Sequence, residues 1–263
     1  MIILLKRLYR HFFPRAEQAL LKQLRARKLE KQSFDFTLPD GQKVKGLMPL
    51  EAYHEYKDIF MEGIYAFQSD KPNPRIIDGG GYVGFSCLYY KHLYKQAKIT
   101  VFECEPKALK VLKENFSING HSDIEIVEAA LSDKEGTLKF SQEGGDAGSL
   151  YLNEGPSIEV SCVTLLPWLD DEVDFLKLNI EGAEMDVIAS CGEKLRSIKE
   201  MVIEFHSFAN QPQRLQDLLK SLSDQGFRYI INHFDYESNY VAKPPFKLSL
   251  DTSYVLLVYA KRF

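Results

Sequence analysis

One short stretch in the first half of the chain limits the possible folds more than any other feature. Residues 76–84 read Ile-Ile-Asp-Gly-Gly-Gly-Tyr-Val-Gly, and residues 102–106 read Phe-Glu-Cys-Glu-Pro. An apolar run, a glycine turn and a second apolar run that ends in acids predict a strand, a turn, a helix and a second strand. Such a unit belongs to a doubly wound α/β fold and holds an adenosine-containing cofactor at its glycine turn.

Two cofactors fit this turn, and an aspartate separates them. Gly79, Gly81 and Gly84 match the dinucleotide pattern G-x-G-x-x-G, whereas Asp78 and Gly80 match the turn that binds S-adenosylmethionine. A carboxylate beside the turn would repel a pyrophosphate, but it would attract the cationic amino and sulfonium groups of S-adenosylmethionine. The sequence therefore favours S-adenosylmethionine, and an NAD-dependent oxidoreductase is a less favoured alternative.

The acids after the second apolar run predict a ribose-binding position. Glu105 directly precedes Pro106, which is suited to the first position of the next helix, so we expect Glu105 at the tip of a strand over residues 99–105. There its carboxylate would hold the ribose diol. Glu103 lies two residues earlier, on the same face of that strand, and is the alternative.

Four separated blocks of the sequence resemble the FkbM family of S-adenosylmethionine-dependent methyltransferases. They are residues 76–106, Asn-Phe-Ser-Ile-Asn-Gly at 115–120, Ala-Ala-Leu-Ser-Asp-Lys-Glu-Gly at 129–136 and Phe-Leu-Lys-Leu-Asn-Ile-Glu-Gly-Ala-Glu at 175–184. The resemblance implies a class I methyltransferase fold, with a Rossmann-like sheet of about seven strands flanked by helices. It also implies S-adenosylmethionine as the cofactor and O-methylation, often of sugar or polyketide hydroxyls.

The resemblance also implies which residues contact the cofactor. We expect Tyr65 to close over it, and the other residues expected to bind it are Asp78, Gly79, Gly80, Gly81, Tyr82, Gly84, Glu105, Pro106, Ala130, Leu131 and Asn179.

The chain departs from the family pattern in two places. The turn usually reads Gly-Ala-Asn where this chain has Gly80-Gly81-Tyr82, and the later block usually carries Asp where this chain has Asn179. These departures motivate an alternative of a different class, a cofactor-binding protein that has lost catalysis.

Candidate catalytic groups follow the fourth and fifth strands of the expected sheet. Methyl transfer to a hydroxyl needs a group that accepts the hydroxyl proton. Glu181, Glu204 and His206 can each accept it, and the sequence leaves open which of them does. A metal ion could lower the hydroxyl pKa instead, but hard cations prefer several carboxylates and Asn179 weakens that set. We therefore expect no metal.

The 263 residues, 45% of them hydrophobic, suit one α/β domain with an appendage. We expect residues 1–72 to form an N-terminal extension of basic arm, hairpin and lead-in helix. Residues 73–263 would then form the methyltransferase domain, with a hairpin insertion at 137–163. The glycine-rich residues 144–149 at the tip of that insertion are either a substrate lid or an ordinary solvated loop.

The first 34 residues carry nine Lys or Arg against two Glu, a balance of +7, so the net charge of −4 leaves −11 for the remainder. Because the basic charge is confined to this arm, we expect a small-molecule or glycan substrate and no nucleic acid. The arm shows helical spacing of apolar residues. It would either pack on its own domain or on a second subunit, or lie on an anionic membrane surface.

The remaining features predict a cytoplasmic protein. No apolar run approaches eighteen residues, and Lys6 interrupts the first apolar residues too early for a signal peptide. The four cysteines are widely spaced without metal-ligand patterns, and we expect reduced thiols: Cys87, Cys104, Cys162 and Cys191.

Overall fold

The computed structural model describes residues 22, 34–141, 157–209, 211–233, 249 and 252–263. The predictions for the basic arm and for the loop at 144–149 lie outside this part of the chain. The described residues fall into two compact units. The first comprises residues 34–74, 81–99 and 105–125, and the second comprises 75–80, 100–104 and the described residues from 126 onward. The division at residue 72 stays a prediction.

The first unit begins with the expected hairpin. Strands β1 (Phe34–Thr37) and β2 (Lys43–Gly46) pair antiparallel. Gly41 closes their turn with φ +93°, and its N–H donates to the carbonyl of Leu38 at 2.9 Å. Because glycine adopts a positive φ at little cost, the Asp-Gly pair is well suited to this turn.

The lead-in helix is present but wider than an α-helix over its second half. Helix α1 (Pro49–Glu55) continues as a π-helix over Tyr56–Glu62 and ends at Gly63, whose φ is +66°. The expected lead-in helix thus lies at residues 49–62. The wider turn accompanies aromatic packing, with the ring of Phe60 5.6 Å from that of Tyr56 and 5.1 Å from that of Tyr89.

Two further helices complete the first unit, α2 (Phe85–Leu93) and α3 (Pro106–Ile118). Two asparagine amides that follow each other at i and i+4 bond the outer edge of β2. Asn115 accepts from the N–H of Lys45 at 2.7 Å and donates to its carbonyl at 3.0 Å. Asn119 does the same with Lys43, at 2.9 and 2.7 Å. Four residues of helix rise about 6 Å, close to the roughly 6.7 Å of two strand residues, so the two spacings match.

The remaining strands form two sheets. They are β3 (Arg75–Gly79), β4 (Lys98–Phe102), β5 (Glu125–Val127), β6 (Ala130–Leu131), β7 (Gly136–Ser141), β8 (Ser157–Val163), β9 (Val173–Leu178), β10 (Ile198–Ser207), β11 (Arg228–His233) and β12 (Tyr254–Lys261). The larger sheet has the order β11-β12-β10-β9-β3-β4-β5. Strands β3 and β10 run parallel to β9, whereas β12 is antiparallel to β10 and β11. The prediction of about seven strands is confirmed.

Strands β7 and β8 pair antiparallel, from Gly136 opposite Cys162 to Ser141 opposite Ser157, in the segment where the sequence predicted a hairpin insertion. Strand β6 adds to it in parallel with β8 and makes a three-stranded sheet, which the sequence did not predict.

Strand β9 lies in the core of the second unit, and four of its six residues are apolar. All six residues of β9 are buried, as expected for a strand covered on both faces. Residues such as Leu176 and Ile203 pack with the apolar sides of helices α4 (Glu184–Cys191) and α5 (Leu215–Asp224). The charged residues of β9 have partners, and the Asp174 carboxylate accepts from the N–H of Arg75 at 2.9 Å.

Within the described part of the chain, no helix has the length and apolar character needed to cross a membrane.

Candidate active site

The glycine turn after β3 fits tightly against the end of β9. The N–H of Asn179 donates to the carbonyl of Gly79 at 3.0 Å. Gly80 has φ +84°, and a Cβ at this position would lie 1.8 Å from the carbonyl oxygen of Asn179. Both the backbone conformation and the space therefore require glycine at residue 80. Such a close approach of backbones leaves main-chain groups, rather than side chains, at the tip of β3.

Asp78 has an ion-pair partner that the sequence did not predict. The Lys177 ammonium lies 3.0 Å from the Asp78 carboxylate, and the two side chains are 3% and 0% exposed. The same ammonium donates to the carbonyl of Gly79 at 3.2 Å and to that of Gly80. Because the charges of Asp78 and Lys177 largely offset each other, Asp78 alone is a weaker reason to prefer a cationic cofactor than the sequence suggested.

Asn179 directly follows β9, and its amide carries an unmatched acceptor. Its side-chain Oδ1 is buried and accepts no hydrogen bond from the described residues. A buried acceptor without a donor costs about 1–3 kcal/mol, so such groups are usually matched by a donor from protein, water or ligand. Asn179 and the close approach at Gly80 are two features that fit a small ligand with an N–H donor.

The first unit holds the rest of the glycine turn. Tyr82 has φ +47°, which is unusual for a residue other than glycine, and its hydroxyl bonds the buried carboxylate of Glu51. Gly84, with φ +95°, begins α2, and a Cβ there would lie 2.8 Å from the ring of Phe116. Asn115 donates to the carbonyl of Val83 at 2.7 Å. The turn is thus fixed by contacts on both sides of Val83.

The acids after β4 differ from the prediction in one respect. Strand β4 ends at Phe102, so Glu103 and Glu105 follow the strand and do not share one of its faces. The carboxylate of Glu105 caps helix α3 and accepts from the N–H of Ala108 at 2.6 Å, with Pro106 as the first helical residue. The Glu103 carboxylate accepts from the N–H of Cys104 at 2.8 Å. The strand is therefore shorter than predicted, and Glu105 serves as the cap of α3 instead of its last strand residue.

Three other residues predicted to bind the cofactor, Leu131, Ala130 and Tyr65, are buried or half-buried. Leu131 is buried in the second unit, and its Cδ1 lies 2.9 Å from the position that a Cβ on Gly79 would take. Ala130 begins the short strand β6. Tyr65 is 3% exposed within the first unit.

The structure brings together two of the three predicted catalytic residues, Glu181 and His206, the second of which lies in β10. The Nε2 atom of His206 lies 3.5 Å from the Glu181 carboxylate, and its Nδ1 lies 3.0 Å from the Glu184 carboxylate. Glu204 is buried two residues earlier on β10 and interacts electrostatically with both Glu181 and His206. Sequence reasoning gave Glu184 no role, although the spacing Glu-Gly-Ala-Glu places the second acid at the start of helix α4.

These contacts set the charges of the cluster. Burial raises the pKa of Glu181 to about 7, although the His206 cation opposes this rise. Burial lowers the pKa of His206, but Glu184, Glu181 and Glu204 outweigh it and raise that pKa to about 10. Near neutral pH, His206 is therefore a cation, and both the protonated and the ionised form of Glu181 are populated.

Glu181 also has an unusual backbone conformation, with φ +56°. Among the described residues, only Glu181 and Tyr82 combine a side chain with a positive φ. Strained backbone of this kind is concentrated at functional sites. Both residues had been selected from the sequence as candidates.

Comparison with known proteins gives the family. The sequence profile described as "Methyltransferase FkbM domain" matches residues 78–229, which is more than half of the chain. The seven-stranded α/β fold and this match define a class I methyltransferase. The chain belongs to the FkbM methyltransferase family. The predictions of the family, the fold class, a methyltransferase and S-adenosylmethionine as the cofactor are confirmed.

Individual relatives agree with this assignment. Methyltransferase sdnD of Sordaria araneosa is 25% identical over 217 residues, which cover 68% of this chain and 83% of the relative. The 2-O-methyltransferase NoeI of Sinorhizobium fredii is 29% identical over 161 residues, which cover 52% and 65%. The crystal structure of methyltransferase FkbM from Methylobacillus flagellatus KT has a TM-score of 0.50 at 14% identity and covers 78% of this chain. The present chain spans 47% of the length of that structure, and the likeness supports the fold alone.

Proposed function

We propose that this protein is an S-adenosylmethionine-dependent O-methyltransferase that acts on a hydroxyl of a sugar or another small hydroxylated metabolite. The observation that carries the proposal is the cluster of Glu181, Glu184 and His206, in which one carboxylate has a pKa of about 7 and a cationic partner. A relative named 2-O-methyltransferase, 29% identical over 161 residues, also favours oxygen as the acceptor atom.

The cofactor would be held by the residues selected from the sequence. When bound, S-adenosylmethionine supplies an electrophilic methyl group. The close backbone approach at Gly80 fixes the turn against the end of β9, beside Asn179. The buried Oδ1 of Asn179 suits the cofactor's amino group as a donor, and the Glu105 carboxylate suits the ribose hydroxyls. Asp78, paired with Lys177, would hold the turn rather than the ligand.

Glu181 would accept the proton of the acceptor hydroxyl. The bound cofactor would supply the methyl group, and the Glu181 carboxylate would take the proton that the acceptor hydroxyl loses. A positioned base of this kind contributes about 10²–10⁴ in rate. His206 stays protonated and stabilises the ionised form of Glu181, so that at neutral pH a large fraction of Glu181 can accept a proton. No metal ion takes part in this proposed route.

Methyl transfer from S-adenosylmethionine to a panel of glycans and hydroxylated metabolites tests the proposal, with EDTA treatment as a separate arm. Transfer to oxygen that survives EDTA supports it. Transfer abolished by EDTA and restored by Mg²⁺ would contradict the metal-free route.

Two alternatives make different predictions in binding experiments. A protein that has lost catalysis would bind S-adenosylhomocysteine and methylate no acceptor in the panel. An NAD-dependent oxidoreductase would instead bind NAD more tightly than S-adenosylhomocysteine in parallel calorimetric titrations.

We also propose a cytoplasmic location and the division into residues 1–72 and 73–263. The basic arm, with its balance of +7 over residues 1–34, is proposed to pack on its own domain or on a second copy, with contact to anionic membranes as the other possibility. Co-sedimentation with anionic vesicles that is lost on deleting residues 1–30 would support the membrane role.

A further inference from the structure

The carboxylate of Glu184 organises the segment between β9 and α4. Its Oε1 accepts from the N–H of Ile180 at 3.1 Å, and both of its oxygens lie 3.1 Å from the N–H of Gly182. These two amides belong to the residues on either side of Glu181. The Glu184 side chain is 1% exposed, so the three contacts are shielded from water. Buried hydrogen bonds to a carboxylate are among the stronger ones in proteins.

These bonds surround a backbone that is otherwise unfavourable. Glu181 has φ +56° and Gly182 has φ +109°, so two successive residues have left-handed conformations. Glycine accepts such a conformation easily, but glutamate does not. Because Glu184 holds the amide before Glu181 and the amide after it, its carboxylate stabilises the conformation that directs the Glu181 side chain.

The same carboxylate also orients the imidazole. Glu184 Oε1 lies 3.0 Å from Nδ1 of His206, which leaves Nε2 facing the Glu181 carboxylate at 3.5 Å. A carboxylate on one ring nitrogen fixes the orientation of the ring and favours its protonated form. The ring of Phe208 stacks on that of His206 with centroids 6.0 Å apart, which restricts its rotation.

We propose that Glu184 is a positioning residue for methyl transfer, which holds Glu181 in its left-handed conformation and orients the His206 imidazole beside it. The inference rests on the proposed function in one respect, that Glu181 is the group that accepts the proton.

Other charged groups also act on this cluster. His206 is influenced by Glu184, Glu181 and Glu204, and Glu181 is influenced in addition by Lys177 of β9. On β12, Tyr259 interacts with Glu204, and burial raises the pKa of this tyrosine to about 12, so it stays neutral. Among the influences that raise the pKa of His206, that of Glu184 is the largest, in agreement with the 3.0 Å contact.

The test is an NMR titration of the His206 ring nitrogens in the purified full chain, with His206→Asn to assign the resonance. In the wild type we expect a midpoint well above the ordinary histidine value of 6.5, near 10. Glu184→Gln should lower this midpoint by about one to three pH units, because an opposite charge within hydrogen-bonding distance is removed. Glu193→Gln is the matched control, since Glu193 follows the same helix but is exposed.

A second readout reports the backbone. Hydrogen exchange of the Gly182 amide should become faster in Glu184→Ala than in Glu193→Ala, because the acceptor of that amide is removed.

The inference is wrong if the wild-type His206 titrates near pH 6.5, a result that needs no variant to fold. It is also wrong if Glu184→Gln titrates like Glu193→Gln. These titrations need no acceptor substrate, whereas the proposed function is tested by methyl transfer in the wild type. Failure of one is therefore distinguishable from failure of the other.

Discussion

The turn after β3 and the turn after β9 each hold a residue other than glycine at positive φ, but through different contacts. Each follows a buried parallel strand, and each contains a residue with a side chain at positive φ, Tyr82 in the first and Glu181 in the second. Tyr82 is held by its own hydroxyl, which bonds Glu51. Glu181 is held through the amides of its neighbours, which bond Glu184.

This difference separates a binding role from a chemical one. A side chain used as an anchor contributes shape to the turn and is not free to take part in chemistry. A residue anchored through neighbouring amides keeps its carboxylate for interactions that change with pH. The second turn is accordingly suited to proton transfer, and the predictions below test this division.

The largest effect is expected at the second turn. Glu181→Gln should lower kcat by about 10²–10⁴, because the amide cannot accept the hydroxyl proton. Wild-type kcat should rise with pH around 7 as Glu181 ionises, and this dependence should be absent in the variant. The KM for S-adenosylmethionine should change little. pH–rate profiles of both proteins check this, and an unchanged profile in the variant would transfer the role to another group.

The same residue also affects stability in a defined direction. The pKa of Glu181 is raised from 4.5 to about 7 on folding, so its contribution to stability is complete below pH 4.5 and is lost as the pH rises through 7. Glu181→Gln should therefore show a smaller loss of stability between pH 5 and pH 8 than the wild type does. Urea unfolding at several pH values measures the difference.

A large effect on folding is expected at the first turn. Gly80→Ala places a Cβ 1.8 Å from a backbone carbonyl and requires φ +84°, so it should destabilise the protein by about 2–5 kcal/mol. Gly41→Ala is the matched control, because Gly41 has φ +93° but nothing within 4 Å of its Cβ position. That variant should lose only about 1 kcal/mol. Equal losses would mean that the contact with Asn179 is unimportant.

Glu105→Ala should affect both binding and folding. Loss of two charge-assisted hydrogen bonds to ribose should weaken S-adenosylmethionine binding by about 2–4 kcal/mol. Loss of the cap on α3 should lower stability by about 1 kcal/mol. Calorimetry and thermal unfolding measure the two separately. Normal binding in this variant, with weakened binding in Glu103→Ala, would assign the ribose to Glu103.

The smallest effect is expected from changing the anchor of the first turn. Tyr82→Phe removes the hydroxyl that bonds Glu51 and leaves a buried carboxylate short of one donor, at a cost of about 1–3 kcal/mol. Tyr82→Asn should recover part of this loss, because asparagine tolerates positive φ better than phenylalanine does. Thermal unfolding of the two variants compares them. Neither should alter the pH dependence of kcat, which belongs to the second turn.

Much of the fold was predictable because short sequence patterns determine many of its strands and turns. Apolar runs and glycine turns predicted a sheet of about seven strands and the strand–turn–helix–strand unit at residues 76–106, and the structure has both. The helices α4 and α5 were not predicted. The π-helix at Tyr56–Glu62 and the pairing of β6 with β8 were not predicted, since both depend on packing between distant segments. The end of β4 was also missed, and the strand stops at Phe102, before Glu105 caps α3.

The sequence predicted which residues belong to the candidate site better than it predicted their ion-pair partners and protonation states. Residue types and spacing selected Glu181 and His206, which the structure places together. The sequence could not indicate that Lys177 neutralises Asp78, or that Glu184 contacts His206, because these contacts join residues 99 and 22 positions apart. Protonation states depend on burial, which a linear pattern does not give. The predicted roles of the site residues stay predictions.

Asn115 and Asn119 on α3 cover the outer edge of β2, which has a consequence for aggregation. An uncovered strand edge offers its amides and carbonyls to the strands of other molecules, which is a common route to aggregation. On β2 the N–H and carbonyl groups of Lys43 and Lys45 are already bonded by Asn119 and Asn115. A helix thus acts as the last strand of a small sheet, and a foreign strand would have to break four hydrogen bonds before it could add to β2.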